Sequence, residues 1–365
     1  MSQTIQDFFK EVEDPRKWKN VQHKLLDIII LSILAVLCGA EGWEEIELFG
    51  KSKKDFLKEF LKLPRGIPSH DTIRRVFMHL NPESFGKAFM LWTQSLRRKF
   101  KGEIIPIDGK CLRGSKDWFH GQSAIHVVSA WAEENQLVLG QIKVDEKSNE
   151  ITAIPQLLEL LDLKDTIVTI DAMGTQTAIA EKIIDKGADY ILALKGNQGY
   201  LKEIVENLFE QVKPTAIDQT TEKDHGRIET RKCSVINKLE LLDEEKDRWK
   251  DLKSIIKVEA TTQIREEVRN ENRYYITSLS PDPKLLNEAI RKHWGIENKL
   301  HWSLDVCFRE DDSRKRAGHS AENFSTVRKI ALNLLKQEAT LKMGMKGKRL
   351  KAAWDNDYLR KLLKI

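Results

Sequence analysis

The stretch Asp165–Gln176, DTIVTIDAMGTQ, decides the fold. Ile167–Ile170 is a short apolar run bounded by turn residues, which predicts a strand buried on both faces. It ends on Asp171, after which a Gly/Thr turn leads into the helix-patterned run Gln176–Lys186. Open α/β sheets carry their chemistry at the carboxyl ends of such strands. An Asp in this place can equally serve as the cap of the following helix. Two further carboxylates favour chemistry. A second strand-like run, Glu103–Ile107, ends on Asp108 with Gly109 and Lys110 after it, and a helical run near the end carries Glu297. Three isolated carboxylates, two at strand ends and one on a helix, suit a cage for hard divalent cations.

Outward from this stretch, Ile104–Ile107, Ile125–Trp131 and Leu137–Val144 read as successive strands, with Glu133–Asn135 turning between the last two. Asn149–Leu161 then reads as a helix, Thr166–Ile170 as the fourth strand and Tyr190–Leu194 as the fifth. The expected fold class is α/β: a mixed sheet with an antiparallel portion, flanked by helices. Lys195–Gln198 leaves the fifth strand on the same edge as Asp171. Polar–apolar alternation in Ile228–Ile236, Ser254–Gln263 and Arg273–Thr277 predicts a separate antiparallel β-rich insertion at about 215–282.

Residues 1–100 read as all-helical, leaving 101–365 for the sheet and its insertion. Leu25–Cys38 is apolar all round and belongs at the centre of the helical part. Trp43–Phe49 and Lys54–Leu61 read as shorter amphipathic helices. Gly66–Phe77 breaks on Gly and Pro and restarts as a helix with Ser69 as its N-cap. Arg74 and Arg75 lie off its apolar face, as a helix–turn–helix-like DNA contact or as a plain solvated surface.

The 365 residues are 41% hydrophobic and 32% charged, the balance of an ordered soluble protein. The net charge is +5, but residues 284–365 hold 19 Lys/Arg against 10 Asp/Glu, a local surplus that fits a nucleic-acid footprint. Cys38, Cys111, Cys233 and Cys307 form no close pair and read as reduced packing residues. Leu25–Ala40 is short for a membrane span and carries Asp27, so it reads as a core helix. No signal-peptide pattern opens the chain.

The run RKHWGIENKLHWSLDV (291–306) has two faces. Ile290, Ile296, Leu300 and Leu304 can bury themselves against the sheet. His293, Glu297, His301 and Asp305 follow at i, i+4 spacing on a neighbouring face. That stripe is either a set of helix-surface pairs or the presentation of Glu297 to Asp108 and Asp171. A zinc site on His293 and His301 lacks an obvious third ligand.

With these segments in hand the chain resembles the ISAs-type insertion-sequence transposases, the H-repeat-associated proteins, within the DDE superfamily. The motifs are DPR (14–16), GIPSHDT (66–72), IDGKCLRGS (107–115), KSNEITAIPQLLELLDL (147–163), TIDAMGTQ (169–176), DYILALKGNQ (189–198), HGRIETR (225–231), HWGIENKLHWSLDVCFREDDSR (293–314) and ALNLL (331–335). The resemblance implies a ribonuclease-H-like catalytic core at 101–365 and a helical N-terminal domain at 1–100 that binds DNA. It also implies a DDE triad on Asp108, Asp171 and Glu297, holding Mg²⁺ or Mn²⁺, two ions, for phosphodiester hydrolysis and strand transfer. The implied partners are double-stranded DNA, as element ends and target, and a second copy of the chain when assembled on DNA. The implied setting is the bacterial cytoplasm and nucleoid. Lys110, Arg113, Lys195, His293, Lys299, His301, Arg314, Lys315 and Arg316, with Arg74 and Arg75, are the candidate DNA contacts. Many DDE relatives place Arg four residues before the catalytic Glu and Lys seven after it; here those positions are His293 and Leu304. Two other functions remain open: a catalytically silent DNA-binding relic or repressor, and a metal nuclease without strand transfer.

Overall fold

Asp165 sets the registration of the sheet. It adopts a left-handed conformation (φ 62°), which Asp tolerates better than most residues. Gly102 N–H donates to its carbonyl at 2.7 Å, and its own N–H donates to the Gly187 carbonyl at 2.9 Å. Those two bonds align the starts of β1 (Glu103–Cys111), β4 (Thr166–Ile170) and β5 (Asp189–Leu194), which run parallel. On the other side of β1, β2 (His126–Ala132) and β3 (Leu137–Lys143) pair as antiparallel neighbours. The computed structural model describes residues 3–16, 21–145, 148–224, 226–242 and 244–363. Lys147 and His225, each the first residue of a motif quoted above, lie outside them.

The expected mixed sheet with flanking helices is present, and it is larger than the sequence suggested. After α7 (Glu150–Leu160), α8 (Thr177–Asp185) and α9 (Gly199–Gln211), the chain forms β6 (Ala216–Asp224) and β7 (Arg227–Ile236). The short helix α10 (Glu245–Arg248) leads to β8 (Ser254–Ile264) and β9 (Glu267–Thr277). These strands are not a separate insertion. Tyr274–Thr277 pairs antiparallel with Ile191–Leu194, so nine strands form one sheet in the order β3-β2-β1-β4-β5-β9-β8-β7-β6. Pairing with β9 covers the backbone edge that β5 would otherwise expose.

Alternation along the central strands feeds two cores. Ile105, Ile107, Val168 and Ile170 pack on the α7 face. Ile104, Ile167 and Ile191 pack on the opposite face beneath Leu286, Ala289 and Ile290 of α11 (Pro283–His293). The helical run does not continue smoothly from α11. Ile296–His301 winds as a wide π-type turn before α12 (Trp302–Phe308), a distortion that often marks functional positions.

The regular elements among the described residues up to Leu96 are helices: α1 (Ile5–Phe9), α2 (Leu25–Leu37), α3 (Trp43–Ser52), α4 (Lys54–Leu57), α5 (His70–His79) and α6 (Pro82–Leu96). Ser69 caps α5 through the Thr72 N–H at 3.3 Å, and α2 is buried along almost its whole length. Among the described residues no helix is long and apolar enough to cross a membrane. A core of their own, however, the helices do not have. They share one with α13 (Ser320–Gln337), α14 (Met345–Trp354) and α15 (Asn356–Leu363). Trp43 meets the Phe324 ring edge-on at 5.1 Å, and Arg349 Nη2 donates to the Val36 carbonyl at 3.0 Å. Buried Asn323 donates to the Phe77 and Leu80 carbonyls at 3.0 and 2.9 Å.

Removing Asn323's amide strands two buried carbonyls. Asn323→Ala should therefore destabilise the protein by roughly 2–4 kcal/mol. Native-state hydrogen exchange should show α2 and β4 opening together and weakened alike. Independent opening of α2 would contradict the shared core.

Candidate active site

The last parallel rung between β1 and β4 joins Ile107 to Ile170. Asp108 and Asp171 are the next residue on each chain. By strand alternation both side chains leave on the α11 face, with Ile104 and Ile167. β1 does not stop at Asp108, as its sequence suggested; it continues to Cys111 because the antiparallel ladder with β2 runs on after β4 has ended. Asp171 caps the turn Ala172–Gly174, which precedes the helix. Its Oδ1 accepts the Met173 N–H at 3.1 Å, capping a tight turn, while the residue also lines a cleft. The turn is closed by Thr175 Oγ1, which donates to the Ala193 carbonyl at 2.6 Å. Glu297 is exposed on the π-type turn. All three carboxylates line one cleft of about 370 Å³, along with Lys195, Lys202, Arg273 and His293.

Burial pushes the Asp108 carboxyl up to about 7, helped by the charges of Glu150, Asp171 and Glu297. Burial and Glu150 raise Asp171 as well, against the pull of Lys195. The two histidines behave oppositely. Burial takes His293 down to about 4 and His301 down to about 3. His293 Nδ1 lies 2.9 Å from Thr169 Oγ1, and His301 Nδ1 lies 3.5 Å from Asp108 Oδ2. With a neutral imidazole the latter contact is not an ion pair. The histidines turn to separate partners, so they do not build the zinc site weighed above.

Among the described residues no three His, Cys, Asp or Glu side chains close on one point. The carboxylates ring an opening instead. Mg²⁺ is ordinarily held by one or two carboxylates, with water and substrate phosphate completing its shell. An oxygen-only set under mutual repulsion therefore fits such a cation.

The candidate DNA contacts divide by burial. Lys110 is paired with Asp305 and reaches Glu310 at 3.4 Å and Asp311 at 3.8 Å, its side chain only 11% exposed. The Lys315 amine donates to the Glu41 carbonyl and sits 4.0 Å from the Phe324 ring. Burial holds its pKa down to about 7. Lys299 pairs with Glu133. Lys110 and Lys315 are tied into the protein, Lys299 stays partly open beside Glu133, and His293 and His301 are turned inward. Arg75, Lys195 and Arg314 are exposed. Arg113 is also exposed, 3.5 Å from Asp311. Arg74 lies 3.2 Å from Asp71, and Arg316 donates to the Gly114 carbonyl at 3.3 Å. Arg74, Arg314 and Arg316 line a common cavity, which brings the N-terminal helices and the C-terminal basic run to one surface.

Two family models cover nearly the whole chain. The transposase DDE domain matches residues 99–334, and the DDE_Tnp_1-associated region matches residues 6–93. The chain belongs to the DDE transposase family. The putative transposase YncI of Escherichia coli O157:H7 is 45% identical to it, over 99% of this chain and 94% of that one. The H repeat-associated putative transposase YhhI of Escherichia coli K12 is 44% identical, over 96% and 95%. A solved piggyBac transposase synaptic complex with hairpin DNA superposes with a TM-score of 0.45 at 12% identity, covering 96% of this chain and 76% of that one. The protein is thus a DDE transposase, a nuclease and strand transferase of an insertion sequence that acts on DNA with divalent metal. A silent relic and a nuclease without joining are not favoured.

The sequence reading of the transposase missed Glu150 and His126. Glu150 opens α7 and is only 9% exposed, and His126 Nε2 lies 2.8 Å from its Oε1. An acidic residue in a helix's first turn is ordinary, and nothing local announces that it faces a strand far away in sequence.

Asp108 supplies a pH dependence. In the metal-free fold it keeps its proton up to about 7, whereas its ordinary value is 3.8. Between those values the folded state binds the extra proton, so stability falls as pH rises through that window. Asp108→Asn should therefore have a higher unfolding free energy than the wild type at pH 8 in chelator, by roughly 2–4 kcal/mol. The difference should close as pH falls towards 4. An advantage that grew in acid would contradict this electrostatic account.

Proposed function

We propose that Asp108, Asp171 and Glu297 hold two Mg²⁺ or Mn²⁺ ions in a ribonuclease-H-like core, and that phosphodiester cleavage and joining take place in the cleft they line. The observation that carries this reading is the convergence of all three carboxylates on one cleft, with Asp108 raised by burial and by its acidic neighbours. The strand order β3-β2-β1-β4-β5, with only β2 reversed, supports the ribonuclease-H-like description. Asp108 feels the charges of both Asp171 and Glu297, and with them it would hold the ions. When bound, the ions supply Lewis acidity and an activated oxygen nucleophile.

The chain's own groups do the rest. Neutral His301 steadies the Asp108 carboxylate without adding a charge that would oppose cation binding. His293, half-buried and bonded to Thr169, fixes α11 against the floor of the cleft. Lys195, Lys202 and Arg273 line the cleft and suit a phosphodiester backbone. Arg75, Arg113, Lys195 and Arg314 are the exposed cations best suited to longer-range phosphate contacts, with Arg74 and Arg316 beside them. Processing two element ends in one reaction suits a homodimer assembled on DNA. Action on chromosomal DNA suits the bacterial cytoplasm and nucleoid.

Asp108→Asn, Asp171→Asn and Glu297→Gln preserve size and remove the charge. Each should lower Mg²⁺-dependent cleavage and joining of the element's ends by about a thousandfold or more, and double variants should be no worse. DNA binding should survive. Efficient cleavage by Asp171→Asn would end this assignment.

The surface contacts make a separate prediction. Arg113→Ala with Arg314→Ala should weaken end binding and flatten its dependence on log salt by up to about two units of slope. Lys315→Ala should lower the melting temperature and leave that slope unchanged. A reversed pattern in a salt titration would show that the phosphate-contacting surface lies elsewhere.

A further inference from the structure

Gly109 separates Asp108 from Lys110 on β1 and faces the α7 side of the sheet. A Cβ built there would fall 1.9 Å from Glu150 Oε1 and 2.5 Å from His126 Nε2. The Glu150 carboxylate thus occupies the space where any other residue of β1 would carry a side chain. Asn149 fixes the approach: its Oδ1 accepts the Ile151 N–H at 3.0 Å, so α7 starts at Glu150 and aims it at the strand. Among the described residues, His126 is the one hydrogen-bond partner of that carboxylate. Glu150 also lines a second cavity of about 310 Å³ with Met173, two residues past Asp171.

His126, which Glu150 makes easier to protonate, offsets part of this charge, yet holding a carboxylate this buried is still costly. A favourable place in the first helical turn returns only about 0.3–1 kcal/mol. Glu150 also burdens its surroundings, because among the neighbouring charges it presses hardest on both Asp108 and Asp171. A glutamine would keep the contact with His126 and remove that burden. His126 answers that charge from behind, and cations at the Asp108–Asp171 edge would answer it from in front. Two divalent cations balance four carboxylates.

We propose that Glu150 is a fourth carboxylate of the metal-holding set, reaching the Asp108–Asp171 edge from the opposite face of the sheet through the gap at Gly109. The inference rests on the reading of Asp108, Asp171 and Glu297 as metal ligands. Glu297 then serves the α11 side of the two aspartates, Glu150 serves the α7 side, and His126 orients Glu150 from behind, as outer partners commonly orient ligating groups.

Mn²⁺ binding to the metal-free full-length protein, followed by electron paramagnetic resonance without DNA, tests this apart from catalysis. Glu150→Gln should weaken Mn²⁺ binding at least ~10-fold or lose one of the bound ions, while its melting temperature in chelator stays at or above the wild-type value. Glu150→Asp, shorter by one methylene, should weaken binding too and guards against a folding defect in the first variant. Asp108→Asn separates the two layers of the argument. If Asp108→Asn loses Mn²⁺ while both Glu150 variants bind as the wild type does, Glu150 only anchors α7 and this inference alone falls. If Asp108→Asn binds as the wild type does, the reading of the cleft falls and takes the inference with it.

Discussion

The parallel pairing of β1 with β4 is the constraint on which the site depends. Its last rung, Ile107 with Ile170, delivers Asp108 and Asp171 side by side and on the same face. A slip of one residue in either strand would send one aspartate to the other face and its apolar neighbours into the wrong core. The pairing is held at its start by the Asp165 bonds to Gly102 and Gly187, and over its length by Ile104 and Ile167 on one face and Ile105 and Val168 on the other. Most of what surrounds the sheet serves to keep that register while leaving its carboxyl edge open.

The edge is electrostatically uncomfortable by construction. Asp108 is half-buried among acids, and burial keeps His301 beside it neutral. Two lysines behind the site are turned elsewhere. Lys110 is turned into Asp305, Glu310 and Asp311, and buried Lys329 sits with Gln141 and Ser325. Those pairs fix α12 and α13 behind the site, so the rigid support and the reactive edge draw on different charges. The fold gives up stability at one place where divalent cations would restore it.

Much of this was legible in the sequence, for physical reasons. Val168 and its neighbours form an apolar run too short for a helix, Ser69 is a cap residue in front of a periodic segment, and three acids stand alone beside apolar runs. What was not legible depends on partners distant along the chain. Lys110 and Lys315 look like surface cations until α12 and the Glu41 carbonyl are brought to them. The β6–β9 strands look like a separate unit because the rungs joining β5 to β9 link residues around 192 and 276. The N-terminal helices look autonomous because the helix completing their core, α13, comes more than two hundred residues later. Glu150 was hidden for the same reason, its role depending on a glycine in another strand.

Anomalous diffraction from crystals grown with Mn²⁺ and an element-end duplex tests the central claim most directly. The account predicts manganese peaks within ligand distance of Asp108 and Asp171, about 2.0–2.6 Å. A cleft without anomalous density, in crystals whose protein cleaves DNA in the same Mn²⁺ buffer, would contradict it.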